Sequence, residues 1–500
     1  MIIGFLNLPR HLIALGAVLL LSSCGGSGGS QTAGIDGSGA PVASNTSGTI
    51  DGFGSVIVNG VKYESNTAEI LVNGQRASES ELRVGYRVSV TGNTSNGRSI
   101  AQKIEFVPSL VGNISAISTT EKQITVLGKN IQVTNSTVFG GDIKPASLAG
   151  LSPGQTILVS GASAPDGSIS ATRIERSNST NLQISGLVAN ITNSSFSLNG
   201  TTVMYSNAQL INLSRERLIN GVRVAAIGIM QDDQLQASTV IGLNKNLARD
   251  FASADIEGFI TRFVSASDFD VDGVSATTNN QTRYEKGSSA DLRLGIKIEV
   301  EGSVNASGVL VAREVEFEQA SNNKISGTVT AINLTNNTGN NSGIISGTLA
   351  VDGTNIITTQ QTRYEDKQFN LRPFNLGSLT RGDLVEVSGY STADGFIATK
   401  IERQEVDDEP ETRELEGKVS ALGADYVVLF GRRIYLTENT RITGDNNQTI
   451  NLGNFLLIAL NQQIEVEIET LDGEFYALEI ELELEDSDAE QDNKNNEKQD

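Results

Sequence analysis

The stretch Gly52–Gly60 reads Gly-Phe-Gly-Ser-Val-Ile-Val-Asn-Gly, a short apolar run that ends in an Asn-Gly pair. Asn-Gly or Asp-Gly between two apolar runs is the strongest short-range signal for a β-hairpin, because both residues tolerate positive φ. The same kind of pair recurs at Asn199-Gly200, Asp272-Gly273 and Asp352-Gly353. The chain is therefore predicted to contain short strands joined by tight turns.

Two further motifs follow the hairpins and indicate a tandem repeat. A Leu-x-x-Gly motif precedes a strand of the form Val-x-Val-x-Gly, as in Leu82–Gly85 and Val88–Gly92. Apolar and polar residues alternate in these strands, for example over Ile298–Glu301, and period two indicates a strand with one buried face. Six copies are marked by their leading glycines, which are Gly52, Gly112, Gly186, Gly258, Gly327 and Gly417.

Each copy contains several short strands and little helix signal. Because a twisted sheet of that length loses its exposed edges best by closing on itself, we predict an all-β chain of six tandem small β-barrels, OB-like or SH3-like, joined by short linkers. The alternative is that each copy forms one blade of a propeller, but the copies are longer than a typical blade of ~40–50 residues. Lys245–Asp255 and Glu405–Glu411 are predicted to be hinges.

The predicted boundaries follow from these motifs. They are a lipoprotein signal peptide at 1–23, a Gly/Ser-rich tether at 24–47, repeats at 48–107, 109–176, 181–244, 254–318, 322–404 and 412–485, and a disordered acidic tail at 486–500.

Composition excludes several kinds of chemistry. The chain has 59 acidic and 37 basic residues, one Cys, one His and no Trp, for a formal net charge of −22. Because His11 lies in the predicted signal peptide, the mature chain is expected to lack Ser-His-Asp triads and His zinc sites. We predict no catalytic residue, no cofactor and no metal site. Nucleic acid is not expected as a partner, since its binding depends on Lys and Arg that neutralise phosphates.

The N-terminus has the form of an export signal. The apolar run Leu12–Leu21 is too short to span a bilayer, which takes about 20 residues, and it has the length of a signal-peptide core. Leu21-Ser22-Ser23-Cys24 resembles a bacterial lipobox, in which the thiol of the cysteine receives a lipid. We therefore predict lipidation of Cys24, a membrane as partner, and a place in the cell envelope, most readily the outer membrane, on its periplasmic face or at the cell surface. The alternative is a secretory signal in which Cys24 is incidental.

Two nearly identical tripeptides are the candidate ligand contacts. Arg283 and Tyr284 follow Thr282, and Arg363 and Tyr364 follow Thr362. Tyr and Arg are enriched in binding hot spots, which favours exposed contact residues. The structural interpretation, which we prefer, is a barrel strand with Tyr packed inside and Arg directed outward.

Three glutamates recur after an Ile near the end of their copies, namely Glu105, Glu175 and Glu402. We expect a structural role for them, in capping or in ion pairs with nearby bases such as Arg173 or Lys400, rather than catalysis.

The repeated motifs resemble the bacterial family called domain of unknown function 5666. The resemblance is carried by Gly52–Gly60, by the Leu-x-x-Gly and by the Val-x-Val-x-Gly; it is good in the first copy and poor in the third and sixth. Its motifs are turn and core residues, so they specify a fold better than an activity. The resemblance implies an envelope setting, often with a lipoprotein signal.

Taken together, the sequence favours a membrane-anchored lipoprotein that acts as a non-catalytic binding or spacer module. Its partner would be an envelope glycan or another envelope protein. The alternative function is a carboxylate-dependent polysaccharide hydrolase, since a glycosidase needs only two carboxylates.

Overall fold

The protein is described here from a computed structural model. It describes residues 42–95, 98–243, 251–319, 321–335, 346–392, 395–405, 413–444, 448–471 and 473–483. The predicted signal peptide, Cys24 and the predicted tail at 486–500 lie outside these residues. Among the described residues, no helix has the length and apolar character needed to cross a membrane.

The first repeat shows the arrangement that the next four share. Its strands are β1 (Val42–Phe53), β2 (Val56–Val58), β3 (Val61–Glu64), β4 (Glu69–Val72), β5 (Gln75–Ala77), β6 (Arg87–Ser95) and β7 (Arg98–Phe106). β1, β2 and β3 pair in antiparallel order, β3 pairs with β7 in parallel, and β7 returns through β6 to β1. These five strands therefore form a closed barrel, and β4 and β5 are additions to it.

The second and third repeats follow the same order. The second has β8 (Leu110–Ser118), β9 (Gln123–Val126), β10 (Lys129–Gln132), β11 (Val138–Phe139), β12 (Thr156–Ser163) and β13 (Ile169–Arg176). The third has β14 (Leu182–Ala189), β15 (Ser195–Leu198), β16 (Thr201–Met204), β17 (Gln209–Ile211), β18 (Arg223–Gln231) and β19 (Gln234–Gly242). In each, a parallel pair, β10 with β13 and β16 with β19, completes the circuit.

The fourth and fifth repeats close in the same way. The fourth has β20 (Ser253–Ser265), β21 (Asp268–Val271), β22 (Val274–Thr277), β23 (Arg283–Glu285), β24 (Lys297–Val304) and β25 (Leu310–Phe317). The fifth has β26 (Asn323–Thr335), β27 (Ser346–Val351), β28 (Thr354–Asp366), β29 (Leu384–Thr392) and β30 (Gly395–Arg403). A short 3-10 helix precedes the fourth barrel strand in these five repeats, at Glu79–Glu81, Leu148–Gly150, Arg215–Arg217, Ser289–Asp291 and Leu376–Ser378.

The sixth repeat departs from the pattern. It has β31 (Arg413–Lys418), β32 (Ala421–Leu422), β33 (Tyr426–Leu429), β34 (Arg432–Tyr435), β35 (Arg441–Gly444), β36 (Gln448–Thr449), β37 (Gln463–Leu471) and β38 (Glu474–Glu483), with one α-helix, α1 (Leu452–Ile458). Over the described part of this repeat, no paired register joins β31 to β33. The all-β fold of tandem barrels is confirmed, but the predicted count of six closed barrels is not exact.

The strand order also decides between the alternatives for each copy. A closed ring in which the third and fifth barrel strands run parallel is a Greek-key barrel of the OB type. A propeller blade would be an open sheet of consecutive antiparallel strands. The prediction of barrels is therefore confirmed, and the OB-like form describes them better than the SH3-like form.

The predicted turns form where the sequence placed them. Asn59 and Gly60 have φ of 50° and 71°, and Asp272 and Gly273 have φ of 51° and 80°. Positive φ at both central residues is the signature of a type I′ turn. The glycine of Val-x-Val-x-Gly has a different reason: a Cβ at Gly92 or Gly302 would collide with the carbonyl oxygen of Ile100 or Val311 on the paired strand, beside a β-bulge.

The six repeats join in pairs through shared sheets. β1 and β20 run parallel and join the first repeat to the fourth, while β8–β14 joins the second to the third and β26–β31 joins the fifth to the sixth. The first four repeats each have a separate apolar core, and the fifth and sixth share one. The predicted tether at 24–47 is thus too long, because β1 begins at Val42 and its residues Ser44–Ser47 pair with the fourth repeat.

Contacts across the repeats also bear on the predicted hinges. Residues 244–250 and 406–412 lie outside the described residues, but the repeats on either side are bound together. Arg223 of the third repeat pairs with Asp272 of the fourth at 2.9 Å, and β26 pairs with β31 across the second break. The described repeats on either side of each break are therefore joined directly, and the hinges stay a prediction, because residues 245–250 and 406–411 lie outside the described residues.

Candidate functional site

A small polar cavity lies where the first, fourth and fifth repeats meet. Its volume is about 100 Å³. We call it the carboxylate cavity, because five acidic and two basic side chains line it, namely Asp51, Glu257, Glu299, Glu316 and Glu318 with Lys286 and Arg363. One of the predicted ligand contacts, Arg363, is therefore part of this site.

Asp51 is held at the end of β1 by groups from two repeats. The backbone N–H of Gly60 donates to its Oδ2 at 3.1 Å, and Arg363 Nε lies 3.3 Å from its Oδ1. Burial raises the pKa of Asp51 to about 7, although Arg363 and the Gly60 amide act in the opposite direction. Asp51 is consequently a carboxyl group that takes up a proton near neutral pH.

Glu257 lines the same cavity, but its pKa is shifted in the opposite direction from that of Asp51. Lys297 Nζ lies 2.6 Å from its Oε1, and the Thr49 backbone N–H donates to Oε2 at 3.0 Å. Burial opposes the charge, but Lys297 and Arg87 outweigh it and hold the pKa of Glu257 well below its usual range. Two carboxyl groups with separated pKa values therefore line one cavity.

The fourth and fifth repeats form the other wall. Lys286 Nζ pairs with Glu316 Oε1 at 2.6 Å and lies 5.6 Å from the centroid of the Tyr390 ring. Gln361 Nε2 donates to Glu316 Oε2 at 3.2 Å. This wall thus combines an ion pair with an aromatic face.

The other predicted contact residues lie elsewhere. Tyr364 is 6% exposed and belongs to the core shared by the fifth and sixth repeats. Tyr284 is half-buried against the core of the fourth repeat, and Arg283, whose side chain is 62% exposed, pairs with Glu314. The tyrosines therefore occupy the barrel positions of our preferred interpretation, and ligand contact by Arg283 and Arg363 stays a prediction.

The recurrent glutamates form the ion pairs predicted for them. Glu175 pairs with Arg173 at 2.6 Å and Glu402 with Lys400 at 2.7 Å. Glu105 likewise pairs with Lys103 at 2.7 Å. These pairs lie on the outward face of the last barrel strand, where another repeat covers them.

Three glutamates of the sixth repeat have carboxylate oxygens close enough to share a cation. In Glu414, Glu416 and Glu465 these oxygens lie within 4.8 Å of one another. Lys122 pairs with Glu416 at 2.8 Å and Lys324 with Glu414 at 2.9 Å. Positive charge is therefore already supplied to this cluster by two lysines from other repeats.

Asp51 and Glu257 did not stand out in the sequence, although a signal for them exists. Each immediately precedes the leading glycine of its repeat, Gly52 or Gly258, and Glu416 does so in the sixth repeat. Apolar or hydroxyl residues take this position in the other copies. An acid that recurs at an otherwise uncharged register position is the pattern that would have identified them.

The fold and these contacts define the class of the protein. It is a tandem-repeat protein built of small OB-type β-barrels that interlock through charged surfaces. The family model described as Domain of unknown function (DUF5666) matches residues 45–105, 111–175, 257–316, 326–402 and 416–481. These segments cover about two thirds of the sequence, so the chain belongs to this family. The third repeat is not among the matched segments, whereas the sixth is. No curated protein and no solved structure matches the chain.

Proposed function

We propose that this protein is a non-catalytic envelope lipoprotein, held on a membrane through lipid on Cys24. Its repeats form one rigid module, and this module contacts an envelope glycan or another envelope protein. The observation that supports it is the interlocking of the repeats. Shared sheets and buried ion pairs join every repeat to a neighbour, as in Arg173 with Glu365 and Arg363 with Asp51. A rigid body of this kind is suited to holding a surface at a fixed distance or presenting a preformed site.

The anchor is supported by the sequence around Cys24. Small residues precede it, and Gly25–Ser30 follows as a flexible spacer. Acyl chains contribute about 0.8 kcal/mol per buried CH₂, so a multiply acylated cysteine would hold the module firmly. The outer membrane is the proposed location, because Gly25 stands where enteric bacteria place Asp to retain a lipoprotein at the inner membrane.

Membrane fractionation with radiolabelled palmitate tests the anchor. We expect the wild-type chain to incorporate label and sediment with outer membranes, and Cys24→Ala to lose both properties. Ser27→Ala, in the predicted tether, is the matched control and should behave as wild type. Unlabelled wild-type protein would contradict the anchor. Failure of the Cys24→Ala protein to bind isolated envelopes or glycans would remove the binding role and leave a spacer.

A second candidate function, polysaccharide hydrolysis, is favoured by one observation. Asp51 and Glu257 line one cavity with pKa values pushed apart, which is how a general acid and an ionised carboxylate are prepared. The cavity volume of about 100 Å³ argues against it, since ligand sites usually measure ~300–1,000 Å³. Release of reducing sugar by wild type, lost in both Asp51→Asn and Glu257→Gln, would establish hydrolysis. No release by the wild type from envelope polysaccharides would exclude it for those substrates.

A further inference from the structure

Three tyrosines lie side by side on three neighbouring strands of the sixth repeat. Tyr426 on β33 is paired in register with Tyr435 on β34, and Tyr435 is paired with Tyr476 on β38. The ring centroids are 6.2 Å apart in the first pair and 5.5 Å apart in the second. All three side chains are partly exposed. We call them the tyrosine row.

The tyrosine row lies on the outer face of the barrel. The residues next to the three tyrosines along their strands, Val427, Ile434 and Ala477, are buried in the core. Because successive side chains of a strand point to opposite faces, the tyrosine rings point away from that core. The Tyr426 ring lies against the backbone of Gly423, where a Cβ would collide with it. The chain therefore leaves room for this ring at the surface.

The fold does not need aromatic residues at these positions. In other repeats, the residue four places after the glycine of the hairpin turn is paired in the same two registers as Tyr435. The residues of these registers are Gln123, Gln132 and Ser170 in the second repeat, and Ser195, Met204 and Gln236 in the third. Since these two barrels close without aromatic rings there, the tyrosine row needs an explanation other than folding.

The position of the tyrosine row in the barrel indicates a binding surface. β33 and β34 are the second and third strands of their barrel, and β38 is the fifth. In barrels of the OB type, the face of the second and third strands and the loops beside it bind oligosaccharides and oligonucleotides. One such loop contains Gly423, between β32 and β33. Near the other loop, β37 ends at Leu471, which is 51% exposed.

The polar groups beside the rings favour an uncharged ligand rich in hydroxyl groups. The guanidinium carbon of Arg433 lies 4.3 Å from the centroid of the Tyr426 ring, and its Nη1 lies 3.5 Å from the Tyr435 hydroxyl. At the other end of the row, Glu469 is paired in register with Tyr476. A guanidinium donates to hydroxyl groups and a carboxylate accepts from them. Single-stranded nucleic acid fits less well, because it requires a positively charged groove.

We propose that the tyrosine row binds an uncharged polysaccharide chain, with the apolar faces of its sugar rings against the tyrosine rings. The sugar hydroxyls then exchange hydrogen bonds with Arg433 and Glu469. Aromatic surface with a few polar groups placed beside it is the usual composition of a site that recognises a small organic ring. This inference rests on the binding role proposed above and selects the glycan as the partner, but it does not depend on lipid at Cys24.

Calorimetric titration of the purified full chain tests the proposal. The probes are tetrasaccharides of β-1,4-linked N-acetylglucosamine, β-1,4-linked glucose and α-1,4-linked glucose, with an oligo-dT strand at low ionic strength for comparison. We expect saturable binding of at least one tetrasaccharide with a Kd of about 1 mM or tighter, and no binding of the DNA. Binding of the DNA alone, or of no probe, would overturn the proposal. In that case, binding of the chain to isolated envelopes would leave the proposed envelope contact standing.

A triple variant locates any binding that is found. Tyr426→Gln, Tyr435→Gln and Tyr476→Ser together give the sixth repeat the residues that the second repeat has in the same registers, so the barrel is expected to close. This variant should bind the tetrasaccharide about tenfold or more weakly than the wild type, since stacking on an aromatic ring is worth about 1–3 kcal/mol. Tyr435→Phe keeps the ring and should bind as the wild type does.

Two single variants complete the test. Arg433→Ala changes an exposed side chain, so it should fold and bind severalfold more weakly, and it decides the matter if the triple variant does not fold. Phe369→Ser is the matched control, because Phe369 is an aromatic ring of the fifth repeat that is 63% exposed and lies 4.8 Å from the Arg403 guanidinium. It should bind as the wild type does. Undiminished binding by the folded triple variant, or by Arg433→Ala in its place, would refute the tyrosine row while leaving a glycan-binding role elsewhere.

Discussion

Replacing Arg173 with Met should test whether buried ion pairs hold the repeats together. Arg173 lies on β13 of the second repeat and is 4% exposed. Its Nε lies 2.6 Å from Glu175 Oε1, and its Nη1 donates to the Val84 carbonyl of the first repeat at 3.0 Å. The same Nη1 lies 3.3 Å from Glu365 of the fifth repeat. One guanidinium thus connects three repeats.

The expected loss follows from what the substitution leaves behind. Met preserves most of the apolar stem, so the change removes charge and donors rather than packing. Removing one partner of a buried ion pair costs about 3–5 kcal/mol, because the remaining charge stays buried. Glu175 still accepts from the Tyr86 hydroxyl at 2.6 Å, and both acids are about one-fifth exposed. We therefore expect the lower end, about 3 kcal/mol in the free energy of unfolding.

Urea denaturation at neutral pH measures this loss. Since unfolding of tandem repeats can occur in more than one step, the first transition is the one to compare. Arg262→Met is the control, because Arg262 is 43% exposed and pairs with the exposed Asp268. A surface ion pair of this kind contributes about 0–1 kcal/mol to the free energy of unfolding. Replacing Glu175 with Leu in the Arg173→Met background should recover part of the loss. If Arg173→Met lowered the free energy of unfolding no more than Arg262→Met does, buried ion pairs would not be what holds the repeats together.

Three further predictions concern single positions. Gly85 has φ of +84°, and a Cβ there would lie 2.7 Å from the Thr172 carbonyl oxygen. At Gly382, by contrast, a Cβ would meet no atom within 4 Å. Urea denaturation should therefore show that Gly85→Ala lowers the free energy of unfolding by about 1–3 kcal/mol more than Gly382→Ala does. Tyr364→Ala should lower the free energy of unfolding by about 3–5 kcal/mol, whereas Tyr364→Phe should lower it by less than about 1.5 kcal/mol. Near-neutral effects of both substitutions would mean that the Tyr364 ring does not belong to the core. Because the folded pKa of Asp51 is about 7 against an ordinary 3.8, the folded state binds the extra proton, and the free energy of unfolding should fall by about 3 kcal/mol as pH rises from 4 to 7. Asp51→Asn should flatten that part of the stability–pH profile, and an unchanged slope would contradict the assignment.

The local structure could be predicted because its causes are local. Asx-Gly pairs fix the hairpins through their positive φ, and period-two alternation identifies the core face. The same alternation cannot show what covers the outer face. The sequence predicts that Arg173 and Glu175 form an ion pair, but not that the first repeat covers them and places Val84 and Tyr86 against their side chains.

The carboxylate cavity could not be predicted from the sequence for the same reason. Its acids come from the first and fourth repeats and its arginine from the fifth, so no single copy contains the site. Arg363 was singled out, but as part of an Arg-Tyr pair rather than as the partner of Asp51. A site made at the junction of repeats needs the arrangement of the repeats, and that depends on long-range contacts which the repeat motif itself does not carry.

The differences between the repeats are what determine this arrangement. Six identical barrels would present identical faces and could pair in many ways, whereas complementary charges at equivalent positions favour particular partners. The acid before the leading glycine faces a cation of another repeat in two cases, Asp51 with Arg363 and Glu416 with Lys122. The basic residue after the Leu-x-x-Gly motif brings Arg87 and Arg223 to one shared aspartate. Arg223 belongs to the third repeat, which the family model does not match, so this shared aspartate joins an unmatched repeat to two matched ones.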